Sequence, residues 1–284
     1  MLDEKLSNTD LEILKQVLYE RKTLSDIAHG LRKSLPVISR HVKHLAHMNL
    51  IDIQKREKYK SVKISSSPLG EGLFLLMTES SYLNLEKILS GSGLLILPLL
   101  LRPGSKTEEI SKKISRSLRT VKNTIARWRE LGIVILDKNS YNYMLNYNHK
   151  YLAQFIEVYS EFKNKTLLRE SYHDAVIVWQ WRDEFMFSVP NQIDNQIFST
   201  AGVSRLEELG YKLFHTIHYY FKSPEVMRVS KEEAFAQALY TDPENPRIVR
   251  LVNDAIRDNK IDMHKFNYYV EKYKIQGMID LYYV

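Results

Sequence analysis

The sequence predicts a mainly α-helical fold with small β-hairpins, arranged as two tandem modules and a C-terminal α+β domain. Three observations predict it. An ungapped repeat spaced by 83 residues sets TLSDIAHGLRKSLPVISRHVKHLAHMNLIDI (23–53) against KTEEISKKISRSLRTVKNTIARWRELGIVIL (106–136). In each copy a short helical stretch, a polar turn and a longer basic helical stretch precede a short apolar strand, the layout of a helix-turn-helix. After residue 150 the pattern changes to strand-like and helical runs in succession. The expected domains are 1–80, 81–150 and 151–284.

Identity between the copies is sparse, yet the positions a core constrains agree. Ile27 falls on Ile110, Leu31 on Ile114, Ser34 on Ser117, Ile38 on Val121 and Val42 on Ile125. In the first module, Thr9 as N-cap with Glu12 as its capping-box partner opens a helix to Tyr19, striped by Leu11, Ile13, Leu14, Val17 and Leu18. A second helix starts at Leu24 and buries Ile27, Ala28 and Leu31, and Arg32-Lys33-Ser34 makes the turn. Ser34 caps the third helix, with Pro36 in its first turn, where a missing N–H costs little. Ile38, Val42 and Leu45 point inward at i, i+4 and i+7, which leaves Val37, Ser39, Arg40, His41, Lys43 and His44 on the other faces. Arg40 is long enough to grip a guanine edge bidentately, and Ser39 and Lys43 suit phosphates or base edges. Leu50–Gln54 then reads as a strand, 55–60 as a basic hairpin tip and Val62–Ile64 as the return strand. A basic hairpin directly after such a helix is a wing, suited to phosphates or the minor groove.

The segment SRHVKHL, this hairpin and the exit SSSPLGEGL together resemble winged-helix repressors of the MarR and ArsR type over residues 9–80. The resemblance implies DNA contacts at Ser34, Val37, Ser39, Arg40, Lys43 and the wing residues Arg56 and Lys58; His44 joins them as a candidate from its place on the helix. In the second module, Leu94–Leu101 is the first helix, kinked or started late by Pro98 and stopped by Arg102-Pro103-Gly104. Helix 117–131 presents Ser117, Arg119, Thr120, Lys122, Asn123 and Arg127, with Val121, Ile125 and Trp128 inward and Gly132 just past its end. KTEEISKKISRSLRTVKNTIARWRELGIV is again similar to winged-helix regulators, but its short wing holds only Lys138. The fold expected is therefore two tandem winged-helix modules, joined by the apolar stretch 68–90.

In the last third, helix 148–165 carries a stripe of Leu152, Phe155, Ile156, Tyr159 and Phe162. Ala175–Trp181 and Phe185–Val189 form a hairpin around Arg182-Asp183-Glu184, and Leu213–Phe221 reads as a further strand. Ser230 and Glu233 make a capping box, and helices follow over Arg247–Arg257 and Met263–Tyr273. VMRVSKEEAFAQALYTDPENPRIVRLVNDAIRDNKIDMHKFNYYVEKYKI is similar to the C-terminal region of abortive-infection type IV antitoxins, which implies a regulator repressing its own operon.

Charge supports the same division. Residues 1–70 carry 13 Lys/Arg against 8 Asp/Glu and residues 71–150 carry 12 against 7, whereas 151–284 carry 16 against 19. The basic excess sits in the repeat-containing segments, as phosphate-contacting modules require. The absence of cysteine excludes disulfides, thiolate metal sites and a cysteine nucleophile. No apolar run approaches the ~18 residues of a membrane span and no signal peptide opens the chain, so a cytoplasmic protein is expected. Neither Walker, dinucleotide, HExxH nor GxSxG patterns occur, and a non-enzyme without cofactor or metal is expected. His41, His44 and His47 read as solvated or phosphate-facing, His215 and His218 as facing opposite ways on a strand, and Asp183-Glu184 and Glu207-Glu208 as surface coating. Trp179 and Trp181, with the tyrosines after residue 150, belong to the core, to a ligand pocket or to a base-stacking surface. The expected partners are double-stranded DNA, a second copy of the chain in a homodimer, and a small-molecule or protein effector at the C-terminal domain. A sequence-specific transcription regulator, a repressor, is the reading; its rival is an assembly or adaptor protein whose winged helices bind proteins.

Overall fold

The computed structural model describes residues 5–56, 59–101, 106–137, 142–181, 184–194, 197–223 and 228–279. It is rich in helix, with small antiparallel sheets, and divides into two compact units, Met1–Lys163 and Asn164–Val284.

The first unit opens with α1 (Asn8–Gln16), and its cap is Ser7 rather than Thr9. Ser7 Oγ accepts the Asp10 N–H at 3.2 Å while Asp10 Oδ2 accepts the Ser7 N–H at 2.8 Å, a reciprocal box that places Thr9 inside the helix. A short strand β1 (Lys22–Thr23) leads into α2 (Leu24–Gly30), capped by Thr23 and Asp26. The Thr23 hydroxyl and N–H hold the Asp26 carboxyl below the usual carboxylate range. Next come α3 (Leu35–His47), β2 (Ile51–Arg56) and β3 (Tyr59–Ile64). β2 and β3 form an antiparallel hairpin from Ile51 opposite Ile64 to Arg56 opposite Tyr59. β1 pairs on the other side of β3, a third strand too short to show a period in the sequence. α4 (Pro68–Glu79) follows at once, and it needs Gly70: a Cβ there would lie 2.2 Å from the Ser65 carbonyl oxygen.

The chain then forms α5 (Leu85–Leu89), α6 (Gly93–Ile96), a 3-10 turn (Leu97–Leu100), α7 (Thr107–Lys113), α8 (Leu118–Glu130), β4 (Val134–Asp137), β5 (Asn142–Leu145) and α9 (Lys150–Ser171). Pro98 has no N–H to give the Leu94 carbonyl, so the expected helix over 94–101 tightens into the 3-10 turn instead of kinking. The stop expected at Arg102-Pro103-Gly104 lies outside the described residues.

Advanced by 83 residues, α2 becomes α7 and α3 becomes α8, end for end. The turn residue Arg32 (φ 51°) becomes Ser115 (φ 51°), and Asn49 (φ 56°) becomes Gly132 (φ 70°). Asn and Gly are residues that accept this left-handed backbone readily. Buried partners correspond throughout: Leu11 and Leu94, Ile13 and Ile96, Leu14 and Leu97, Ile38 and Val121, Val42 and Ile125, Leu45 and Trp128. The second hairpin pairs Val134 with Leu145 where the first pairs Ile51 with Ile64, so it is shorter by two residues. The register then recovers, because buried Leu69, Leu73 and Leu76 of α4 correspond to buried Leu152, Ile156 and Tyr159 of α9. The repeat thus runs to about residue 162. The boundary between units falls after Lys163, later than the division at 150/151 read from the sequence, and both copies share one continuous apolar core.

The second unit holds β6 (Val176–Trp181), β7 (Glu184–Val189), β8 (Ser199–Thr200), α10 (Gly202–Glu208), β9 (His218–Lys222), α11 (Lys231–Thr241), α12 (Pro246–Arg257), α13 (Met263–Tyr273) and α14 (Gln276–Ile279). Its antiparallel sheet has the order β6-β7-β9-β8. The strand expected from Leu213 starts only at His218, where pairing with Val189 begins, and 211–217 is irregular. Ser230 caps α11 by accepting the Glu233 N–H at 3.1 Å, but the Glu233 carboxylate does not return the bond. It turns inward instead. There Lys272 Nζ lies 2.7 Å from Glu233 Oε1 and 3.1 Å from Glu184 Oε2, with both carboxylates buried. Tyr273 Oη donates to Glu233 Oε1 at 2.9 Å, Ser223 Oγ to Glu184 Oε1 at 2.6 Å, and Gln237 Nε2 to Tyr273 Oη at 2.8 Å. The rings of Phe221, Tyr273, Trp179 and Tyr269 stand 5.0–5.6 Å from the ammonium. Glu184 is therefore an interior group, not surface coating, and Trp179 is core.

Burial acts to lower the Lys272 pKa, but Glu233 and then Glu184 outweigh it and hold it above the usual lysine value. Burial pushes the Tyr273 phenol up as well. Both raised groups stabilise the fold fully below their unfolded pKa values, and that contribution is lost as pH climbs through the folded ones. Melting temperature is therefore expected to fall above roughly pH 10. Removing the ammonium leaves two buried carboxylates uncompensated. Lys272→Met is accordingly expected to cost about 3–5 kcal/mol in urea unfolding, and a loss below 1 kcal/mol would contradict the interior ion cluster.

Candidate nucleic-acid interface

The long helix of each copy is the place to look, because its inward face is fully used. On α3, Ile38, Val42 and Leu45 are buried. The opposite line, Pro36, Arg40, Lys43 and His47, recurs at i, i+4, i+7 and i+11 and is exposed at every position. Arg40 and Lys43 have no hydrogen-bonding or ionic partner among the described residues. Val37 and Ser39 flank the line, half-buried. Ser34 stands at the N-cap without a side-chain cap bond, and no acidic residue occupies the first turn. An uncommitted hydroxyl, free N–H groups and no carboxylate make this helix end hospitable to an anion.

His44 departs from its expected place. Its Nε2 lies 3.1 Å from the Lys5 carbonyl oxygen, so it fastens the N-terminal segment to α3 rather than facing outward. His41 likewise lies against α1, with Nδ1 2.9 Å from Oδ1 of the buried Asp10. Both occupy the side of α3 that α1 and the segment before it cover, which a helical wheel of α3 alone does not reveal. Of the three histidines, His47 is the exposed one.

The hairpin after α3 carries Lys55 directly opposite Lys60, both exposed, beside the exposed ring of Tyr59. Like charges facing each other across strands repel, and a bound anion relieves that repulsion. Lys63 is tied to Asp52 at 3.6 Å, and Arg21 bonds to Gln54. Lys58 and the Arg56 side chain lie outside the described residues.

On α8, Val121, Ile125 and Trp128 are buried, and Trp128 Nε1 donates to the Lys87 carbonyl at 3.2 Å. Arg119, Thr120, Lys122, Asn123 and Arg127 are exposed. Their commitments differ. Ser117 Oγ accepts the Thr120 N–H at 3.1 Å and lies 2.8 Å from the Thr120 hydroxyl, so both hydroxyls serve the cap. Lys122 Nζ reaches Glu108 Oε1 at 3.4 Å in an exposed pair, a weak tie. Arg119, Asn123 and Arg127 have no partner among the described residues. In the register of the repeat, Arg40 corresponds to Asn123, while Arg119 corresponds to Pro36, one turn earlier. Arg40 and Arg119 thus sit at different heights on their helices. Lys138 of the second hairpin lies outside the described residues.

Elsewhere, a cleft of about 650 Å³ in the second unit is lined by Val203, His215, Tyr219, Asp242, Arg247 and Ile248 among others. His215, lying off the strand, meets the His218 ring edge-on at 5.2 Å and binds Glu207 Oε2 at 3.0 Å. The opposite facing expected of the two rings therefore does not occur. Glu208 accepts from Arg205 and Thr200. Trp181 is half-exposed, and Asp183 lies outside the described residues. Among the described residues no group of three or more His, Asp or Glu is placed to hold a metal, and no helix is long and apolar enough to cross a membrane.

No protein-family model matches this chain, and no curated protein matches it.

Asp10 holds both the Ser7 cap and His41, and thereby the α1–α3 contact behind the exposed line. Asp10→Ala leaves these donors unsatisfied and is expected to cost about 1–3 kcal/mol by urea unfolding. An unchanged midpoint would show that the carboxylate does not fasten α3.

Proposed function

We propose that this chain is a sequence-specific DNA-binding transcription regulator, acting as a repressor, whose first unit consists of two winged-helix modules. The observation that carries the reading is the pair of outward helix faces. The same repeat builds each face, and on each the cations Arg40, Lys43, Arg119 and Arg127 lack any internal counter-charge among the described residues. Exposed cations left unpaired on a basic helix suit a polyanion. In this reading Arg40 and Asn123 read base edges, since arginine pairs bidentately with guanine and asparagine with adenine. Lys43, Arg119, Arg127 and the hairpin lysines Lys55 and Lys60 hold phosphates. Ser34 adds a hydroxyl at the start of α3, and Arg56 and Lys58 extend the hairpin contact. The second unit, with its cleft and rigid interior, is the place for an effector.

The adaptor alternative separates from this by salt. Duplex affinity is expected to fall linearly with the logarithm of salt concentration, and Lys43→Ala with Lys55→Ala is expected to reduce that slope by roughly two. Fluorescence anisotropy with a labelled duplex reads the slope. A flat dependence, or one the double variant leaves unchanged, would favour a protein partner.

A further inference from the structure

We infer that one chain, rather than a dimer, is the complete DNA-binding unit, and that it recognises two unlike half-sites in tandem. This inference rests on the DNA-binding reading above and specifies its ligand. Helix-turn-helix proteins with one module per chain obtain a second reading helix from a second copy, and their sites mirror that symmetry. Here the second copy is internal. The repeat spans about 8–79 and 91–162, and its halves are joined as two subunits would be. Their buried residues form one cluster that includes Leu73, Leu76 and Met77 of α4 with Leu152, Ile156 and Tyr159 of α9. The two closing helices meet at corresponding positions: a Cβ added to Gly72 would stand 3.8 Å from the Cα of Phe155, its counterpart 83 residues on. The flanking and connecting segments add ties: Leu6 bridges to Ser90, the Gly91 N–H donates to the Leu6 carbonyl at 3.0 Å, and Lys15 pairs with Glu86 at 2.7 Å.

The apolar face of the first copy is thus covered by the chain's own second half. What the halves do not share is the outward chemistry. The exposed line reads Pro36, Arg40, Lys43, His47 on α3 and Arg119, Asn123, Ala126, Glu130 on α8. Arginine at the second position selects guanine, whereas asparagine there selects adenine. Glu130 in place of His47 puts negative charge where the first copy has none. Two helices anchored in one continuous core with unlike reading residues require an asymmetric site, and a palindrome would match only one of them.

The test uses the full-length protein on duplexes that it selects from a random-sequence pool. Native mass spectrometry then counts chains per duplex, and base-by-base substitution maps preference. We expect one chain per duplex and two preferred blocks, about one helical turn apart and unrelated by a dyad. Arg40→Ala is expected to lose roughly tenfold or more in affinity and to relax preference in one block only, and Asn123→Ala to do so in the other. Two chains on a palindrome, with Arg40→Ala relaxing both halves, would overturn the single-chain unit while leaving DNA binding intact. One block alone, insensitive to Asn123→Ala, would overturn it by making α8 a structural copy. Failure to select any duplex would overturn the DNA-binding reading itself, and this inference with it.

Discussion

The rest of the first unit depends on one constraint: a long helix must bury three residues at i, i+4 and i+7, and it must do so twice in a common core. Ile38, Val42 and Leu45 meet that requirement in α3, and Val121, Ile125 and Trp128 in α8. Because both triplets enter one continuous cluster, each helix is fixed in rotation about its own axis. Its opposite line is then fixed too. Full burial of such side chains is worth about 1.5–3 kcal/mol each, far more than exposed charges gain from one another. The core sets the orientation, and surface charge is free to vary between the copies.

That freedom is visible in how the two halves diverge. Burial, turn geometry and helix ends coincide, whereas the caps, outward residues and hairpins do not. Ser117 caps its helix and Ser34 does not. The first hairpin is longer and carries facing lysines. Lys122 has a partner in Glu108, while its counterpart Ser39 is uncharged. These differences fall where packing exerts no pressure. The second unit follows a different logic, with a buried ammonium between two carboxylates inside an aromatic shell. Such clusters contribute little net stability against an apolar core, but losing one partner leaves a buried charge uncompensated.

Much of this architecture is legible in the sequence. The spacing of 83 residues places both long helices: Leu35–His47 starts directly after Ser34 as expected, and the expected 117–131 encloses Leu118–Glu130. Helix Met263–Tyr273 with its Asp262 cap is legible because the cap, the stripe and the length agree. The extension of the repeat through α4 and α9 is not, since GEGLFLLM and AQFIEVYS share burial but no identity, and burial is a property of the fold. The inward places of His41 and His44 are hidden for a related reason. A helical wheel shows which residues share a face but not what covers it, and here the cover is Asp10 and the Lys5 carbonyl, more than thirty positions away. Likewise the Glu233–Lys272–Glu184 cluster joins residues far apart in sequence, each of which alone reads as an ordinary surface charge.

The proposed DNA binding requires that the outward faces of the first unit meet nucleic acid. Hydrogen exchange of the whole protein, followed by mass spectrometry with and without duplex, addresses this directly. Slowed exchange is expected in peptides spanning 34–47, 51–64 and 117–130 together, with 231–273 unchanged. Protection confined to the second unit, or none at saturating duplex, would contradict it.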